Sequence, residues 1–182
     1  MNKKICVVGA GHWGKNHIRT LYKMDCLGGV VEKEKNNRRL IEKLYKEVKT
    51  YRAIEDAFFD NFDGFVVATP AETHFQISKK IILAKRSVLI EKPMTLSTKD
   101  AEEIIHLAKE NDVNVMVGHV LLFHPAIQKI REMIEDNTIG RLQYIYSNRL
   151  NLGKIRMEEN VFWSFAPHDI AIFQYLTNSY PL

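Results

Sequence analysis

Short, wholly apolar runs alternate along this chain with longer stretches whose apolar positions recur every three or four residues. Residues 5–8 (ICVV), 27–31 (LGGVV), 65–68 (FVVA), 88–90 (VLI) and 113–117 (VNVMV) read as short strands. Continuous apolar runs rich in β-branched residues suit strands covered on both faces. Between them, residues 13–24, 37–47 and 72–85 read as helices. A further helix carries Ala101, Ile104, Ile105 and Ala108, the i, i+3, i+4, i+7 stripe of one buried face. Ser97, three residues before Asp100, predicts a capped start for it, although Asp is shorter than the preferred Glu.

Strand–helix units in succession predict an α/β fold, a doubly wound parallel sheet with helices on both faces. Near residue 120 the rhythm changes. Ala126, Ile130, Met133 and Ile134 form a helical stripe, residues 141–150 predict a longer strand, and residues 167–176 a last helix. The strand expectation rests on Leu142, Tyr144 and Tyr146 set against Gln143, Ser147 and Arg149. The expected domains are therefore 1–120, a Rossmann dinucleotide-binding domain, and 121–182, the start of a second α/β domain with an open sheet. One strand and two helices leave that second sheet incomplete, because a lone strand has unpaired edges. A fragment of a longer protein, or completion by another chain, is expected.

Composition narrows the function classes. The chain is 46% hydrophobic and 26% charged, the balance of an ordinary globular protein. Lys and Arg number 26 against 22 Asp and Glu, mixed throughout, which suits a phosphate-bearing ligand and does not point to nucleic acid. Cys6 and Cys26 sit in or beside apolar runs and read as reduced thiols rather than a disulfide or metal pair, and no metal site is expected. No apolar run approaches a membrane span, and the start of the chain does not read as a signal peptide, so a cytoplasmic protein is expected.

Gly9-Ala10-Gly11-His12-Trp13-Gly14 is G-x-G-x-x-G placed directly after the first strand and before a helix. Gly9 permits the tight turn, Gly11 lets a pyrophosphate approach the backbone, and Gly14 lets helix and strand pack closely. The helix N-terminus then faces the phosphates with its N–H groups and dipole. His12 and Trp13 occupy the variable positions of the loop. Glu32, eighteen residues after Gly14, ends the second strand, where a carboxylate accepts from an adenine-ribose hydroxyl. That carboxylate repels a 2′-phosphate and favours NAD over NADP, a preference softened by Lys33, Arg38 and Arg39 nearby. Lys92 follows a strand's carboxyl end, where such a crevice holds its ligands.

The series GAGHWG, VVATPAETHF, VLIEKPMTLS, VGHVLLFHPA and FWSFAPHDI resembles the glucose–fructose oxidoreductase, inositol dehydrogenase and MocA family, in the family's order and over essentially the whole chain. The resemblance implies a Rossmann domain followed by an α/β domain that binds substrate and makes a homo-oligomer through its sheet. It implies that Lys92 is catalytic, that Glu91 contacts the nicotinamide ribose, and that the Lys92–Pro93 bond is cis. It places Thr69, Pro70 and His74 beside the cofactor, with His74 open to a second reading as a helix residue without a ligand. His119 is expected on the active-site wall or as a structural polar residue. His168 is expected as proton acceptor or substrate anchor, and its neighbour Asp169 as a helix-start residue. Ser164 stands where many relatives have Asp, and Leu122 where many have Arg. Residues 147–156 mix amides with three cations that could hold a diphosphate. With WSFAPHDI they resemble the branch that oxidises UDP-amino sugars at the 3-position, so UDP-N-acetylglucosamine or its uronate is the expected substrate. A free polyol such as inositol is the alternative, as is an NAD-binding module without turnover. A redox-sensing regulator finds no basic helix–turn–helix to support it.

Overall fold

The inner strands of the first unit have both faces covered, which explains why their sequence is apolar without alternation. In the structure, a computed structural model that describes residues 3–150 and 161–180, Ile5–Val8 (β1), Leu27–Val31 (β2), Lys49–Tyr51 (β3), Gly64–Val67 (β4), Ser87–Ile90 (β5) and Val115–Val117 (β6) form one sheet. The order is β3-β2-β1-β4-β5-β6 and every pairing is parallel. The order reverses between β1 and β4, and ligands of open α/β sheets bind beyond the strand ends at such a switch point.

Helices Gly14–Lys23 (α1) and Lys35–Leu44 (α2) pack on one face of the sheet, where Ile18 and Ile41 meet Val7, Val30 and Val66. Ile54–Ala57 (α3), His74–Leu83 (α4) and Thr98–Glu110 (α5) cover the other, where Ile54, Ile81, Ile82 and Ile104 meet Cys6, Val8, Phe65, Val67, Val88 and Ile90. Successive residues of β1 thus serve opposite cores, as the two-residue period of a strand requires. Ser97 caps α5 as expected, its hydroxyl accepting from the Asp100 N–H at 3.4 Å. Cys6 and Cys26 are both free thiols, and burial pushes the Cys6 thiol well up.

Two elements were not foreseen. β3 is three residues with no apolar run, and α3 is a single turn, too short for a helical stripe. Their place is set by Phe62, whose ring meets Tyr51 and Phe65 edge-on at 6.1 and 5.8 Å. Gly28 and Gly29 make room for it, since a Cβ on either would come within 2.8–2.9 Å of that ring. α2 begins earlier and ends earlier than expected: Tyr45 leaves the helix and Glu47 adopts φ +73°.

The chain divides into two compact units, Met1–Gly118 and His119–Leu182. The second contains Pro125–Glu135 (α6), Val161–Ser164 (α7) and Ala166–Thr177 (α8). Arg131 joins α6 to α8 by donating to the Tyr175 carbonyl and lying over its ring at 5.4 Å, while Tyr175 Oη donates to Gln128 Oε1 at 3.0 Å. The strand expected over residues 141–150 is absent: this segment forms no ladder. Side-chain alternation marks a face that wants cover, but a strand also needs a neighbour for its N–H and C=O groups, and the second unit has none among the described residues. Among the described residues, no helix is long and apolar enough to cross a membrane.

Candidate cofactor and catalytic site

The glycine loop is shaped by what lies against it. Gly9 adopts φ +96°, and a Cβ there would meet the Ala68 carbonyl oxygen at 2.8 Å and Thr69 Cγ2 at 2.9 Å. Gly14 opens α1 so close to β1 that its Cβ would fall 2.0 Å from the Gly9 oxygen. At Gly11, by contrast, nothing lies within 4 Å of where a Cβ would point. Two glycines are thus demanded by packing and the middle one by open space, the room a pyrophosphate needs. No side chain caps α1 and its first turn holds no acidic residue, leaving the helix dipole uncompensated for an anion. The residues fit a dinucleotide.

Glu32, 7% exposed, closes the far side of the loop. Its Oε2 accepts from the Ala10 N–H at 2.8 Å and its Oε1 from the Glu34 N–H at 2.9 Å. The carboxylate braces the phosphate loop, and each oxygen keeps a second lone pair for a ribose hydroxyl. Arg38, expected to soften the choice against NADP, donates to the carbonyl oxygens of Glu32 and Lys33 at 2.6 and 2.7 Å.

At the end of β5, Glu91 is 9% exposed and heavily engaged. Its Oε1 accepts from Trp13 Nε1 and from His17 Nε2, each at 2.6 Å, and its Oε2 from the Lys92 N–H at 3.3 Å. Burial pushes the carboxyl pKa up, but the hydrogen bonds from His17 and Trp13 outweigh it and hold the group below its ordinary value. Gly118, just past β6, leaves room for this carboxylate, whose atoms would lie 3.1 Å from a Cβ there. Trp13 is 44% exposed, yet it spends its indole N–H on Glu91; His12 stays exposed. The expected contact of Glu91 with a nicotinamide ribose must use what this network leaves of the carboxylate.

Lys92 is half-buried, and its bond to Pro93 is cis, as expected. His74 is 1% exposed and faces main-chain carbonyls with both nitrogens: Nδ1 is 2.8 Å from the Pro93 oxygen and Nε2 2.9 Å from that of Thr69. In this geometry neither nitrogen is open to a cofactor. The ring bridges the turn after β4 and the turn after β5, each contact a hydrogen bond where that nitrogen carries a proton, and this geometry fits the reading of His74 as a helix residue without a ligand. Thr69 and Pro70 form that first turn, braced by Thr73, whose hydroxyl lies 2.7 Å from both Thr69 Oγ1 and the Pro70 oxygen.

Two expected residues belong to the second unit. His119 stands before a short 3-10 turn, Val120–Phe123, which carries Leu122, and His168 lies half-buried in the first turn of α8. Asp169, also in that first turn, accepts from Arg149 Nε at 2.7 Å and Nη2 at 3.0 Å, and from Ser147 Oγ at 3.0 Å. The Arg149 hydrogen bonds hold the Asp169 carboxyl below its usual range. Arg149, expected among the cations for a diphosphate, is therefore committed within the protein, and Lys154 and Arg156 lie outside the described residues. Ser164 is in α7, its side chain also outside them.

Sequence reasoning missed His17 and Gly118. His17 was findable: it stands four residues after Trp13, so both occupy one face of α1. Gly118 gave no signal, since its neighbour Glu91 is distant in sequence.

Comparison with known proteins agrees with a Rossmann fold. Over 178 residues the chain is 30% identical to UDP-N-acetylglucosamine 3-dehydrogenase of Acidithiobacillus ferrooxidans, covering 97% of this chain and 55% of that protein. It is 27% identical to myo-inositol 2-dehydrogenase of Thermotoga maritima, covering 95% and 54%. The crystal structure of GenD2 from gentamicin A biosynthesis in complex with NAD superposes with a TM-score of 0.71 at 28% identity, covering 75% of this chain and 40% of that one. The chain spans about half the length of the curated relatives it matches. Residues 3–119 match the oxidoreductase family with an NAD-binding Rossmann fold. The chain belongs to that family, the Gfo/Idh/MocA oxidoreductases.

Proposed function

We propose that this chain carries the cofactor site and catalytic lysine of an NAD-dependent dehydrogenase that oxidises a secondary hydroxyl of a sugar nucleotide, UDP-N-acetylglucosamine or its uronate at C3. The observation that carries the reading is the hydrogen-bonded path from the phosphate loop through Trp13 and Glu91 to Lys92. It ties the group that grips a pyrophosphate to a lysine at the crevice end of β5. NAD, when bound, supplies the hydride acceptor. The Lys92 ammonium hydrogen-bonds the reacting hydroxyl oxygen and stabilises the negative charge that grows there as the carbon loses hydride. Alcohol becomes ketone with one hydride and one proton removed, and the family resemblance alone supports His168 as proton acceptor or substrate anchor. Glu32 at the end of β2 favours a free ribose 2′-hydroxyl, hence NAD. A cytoplasmic location and a homo-oligomer belong to the same proposal and rest on the family resemblance.

The sugar-nucleotide substrate is supported by the Acidithiobacillus relative. A free polyol is the second reading, favoured by the inositol dehydrogenase relative and by the commitment of Arg149 to Asp169, which removes one cation from a diphosphate site. Turnover of a panel of UDP-sugars and inositols with NAD, followed by NADH absorbance, separates the two. Lys92→Ala is expected to abolish turnover and leave NADH affinity within a few-fold. Loss of NADH binding in that variant removes Lys92 from the catalytic role.

A further inference from the structure

We propose that His17 and His74 are the positioning residues of Lys92, gripping the Glu91-Lys92-Pro93 turn from its two ends. The inference deepens the catalytic reading of Lys92 and rests on it for its functional consequence, while its structural core stands apart from any activity.

Lys92 sits between two residues whose polar atoms are each held by a histidine. On one side, His17 Nε2 lies 2.6 Å from Glu91 Oε1. An ionised carboxylate only accepts, so this ring nitrogen carries the proton and donates. The other oxygen of the same carboxylate takes the Lys92 N–H at 3.3 Å, so fixing the carboxylate fixes the lysine main chain. Trp13 shares Oε1 at 2.6 Å, and the hydrogen bonds together keep Glu91 ionised against its burial. Gly118 completes the seat, because any side chain there would press on the carboxylate. On the other side, His74 Nδ1 holds the Pro93 carbonyl oxygen at 2.8 Å, and the same ring reaches Thr69 in the turn after β4 at 2.9 Å. Both turns follow neighbouring parallel strands, β4, buried along its whole length, and β5. A long, entropically free lysine side chain gains reach and direction only if its own backbone does not move. Neither histidine needs to touch a ligand to do this.

Amide hydrogen exchange on the whole 182-residue chain tests the grip without substrate. His17→Gln keeps a donor at nearly the reach of Nε2, whereas His17→Asn is polar but too short. The Lys92 amide should exchange about tenfold faster in His17→Asn and near the parent rate in His17→Gln. The Val7 and Val66 amides, deep in the sheet, serve as controls and stay unchanged in both. An unchanged Lys92 amide in His17→Asn, or equal acceleration in both variants, overturns the His17 tether. For His74, Asn places an amide near the Nδ1 position and Gln near the Nε2 position. Protection of the 94–95 amides should therefore survive His74→Asn better than His74→Gln; the reverse order overturns the Pro93 tether. In turnover, His17→Asn is expected to lower kcat about tenfold or more with KM and NADH affinity within about threefold, and His17→Gln to restore it. If Lys92→Ala proves active, the catalytic reading fails, while the exchange result still decides the tethers.

Discussion

Replacing Gly11 or Gly14 by alanine adds the same methyl group three residues apart and should give opposite phenotypes. A Cβ on Gly14 would stand 2.0 Å from the Gly9 carbonyl oxygen, well inside contact distance, so β1 and α1 must separate by more than an ångström. Backbone against backbone cannot relax by a rotamer change. The cost should reach or exceed the roughly 1–3 kcal/mol of ordinary overpacking. At this chain length that lowers the melting temperature by about 2–4 °C per kcal/mol. Gly11→Ala meets nothing within 4 Å and is not at positive φ, so its stability should hold or rise by up to about 1 kcal/mol through the stiffer unfolded chain. The same methyl stands where a pyrophosphate would approach the backbone. Losing one or two charge-assisted hydrogen bonds, about 1.5–3 kcal/mol each, weakens NADH binding by roughly ten- to a thousand-fold or more. Thermal unfolding and calorimetric NADH titration of both variants check this. A Gly11→Ala protein that binds NADH as tightly as the parent refutes the assignment of the loop to the phosphates. One that unfolds as readily as Gly14→Ala refutes the geometric argument.

Glu91→Gln should change the acid limb of stability. The folded carboxyl lies below its ordinary value of 4.5, so its contribution is complete above that pH and is lost as pH falls through the folded value. The difference in melting temperature between parent and Glu91→Gln should be flat above about pH 5 and shrink below it, with other depressed carboxylates such as Asp169 cancelling; a difference that grows on acidification contradicts it. Phe62→Ala should cost about 3–5 kcal/mol in urea unfolding, because the ring fills the gap left by Gly28 and Gly29. Glu32→Ala should strand the buried Ala10 N–H, at roughly 1–3 kcal/mol, and shift the NADH-to-NADPH affinity ratio toward NADPH, measured by parallel titrations.

The first unit was legible because its signals are local. A strand of ICVV followed at once by Gly9 and then by Gly14 states both the turn and the helix start, and β2 runs over the same residues that its LGGVV run marks. The glycines, Glu32, Glu91 and Lys92 could be placed from their position relative to strand ends. What could not be read was the pairing of side chains remote in sequence. Glu91 was given a ribose, yet 78 residues upstream Trp13 supplies one of its donors and His17 another. His74 was left open between a place beside the cofactor and a helix residue without a ligand, and its two nitrogens face the carbonyls of that turn and the next. In both cases the residue lies at the site, and its partners are parts of the protein that shape the site.

The strand expected in the second unit fails for a different reason. Leu142, Tyr144 and Tyr146 alternate with Gln143 and Ser147 although Ile145 interrupts the pattern, and Tyr144 and Tyr146 are 83% and 74% exposed in a segment that forms no strand. Alternation reports which side chains would be buried if the backbone were extended beside a partner; it carries no information on whether a partner exists. Helices escape this limit because their hydrogen bonds close within four residues, and α6 and α8 accordingly stand where their stripes put them. The same distinction explains the apolar burial of this unit: among its described residues only Ala171 and Leu176, both on α8, are buried, while Phe123, Leu150 and Phe162 are exposed. A helix supplies its own backbone bonds and needs neighbours only for its side chains, whereas a strand needs them for both. A strand pattern therefore becomes a β-element only where, as with β1 between β2 and β4 or β6 beside β5, the chain also supplies a neighbouring strand.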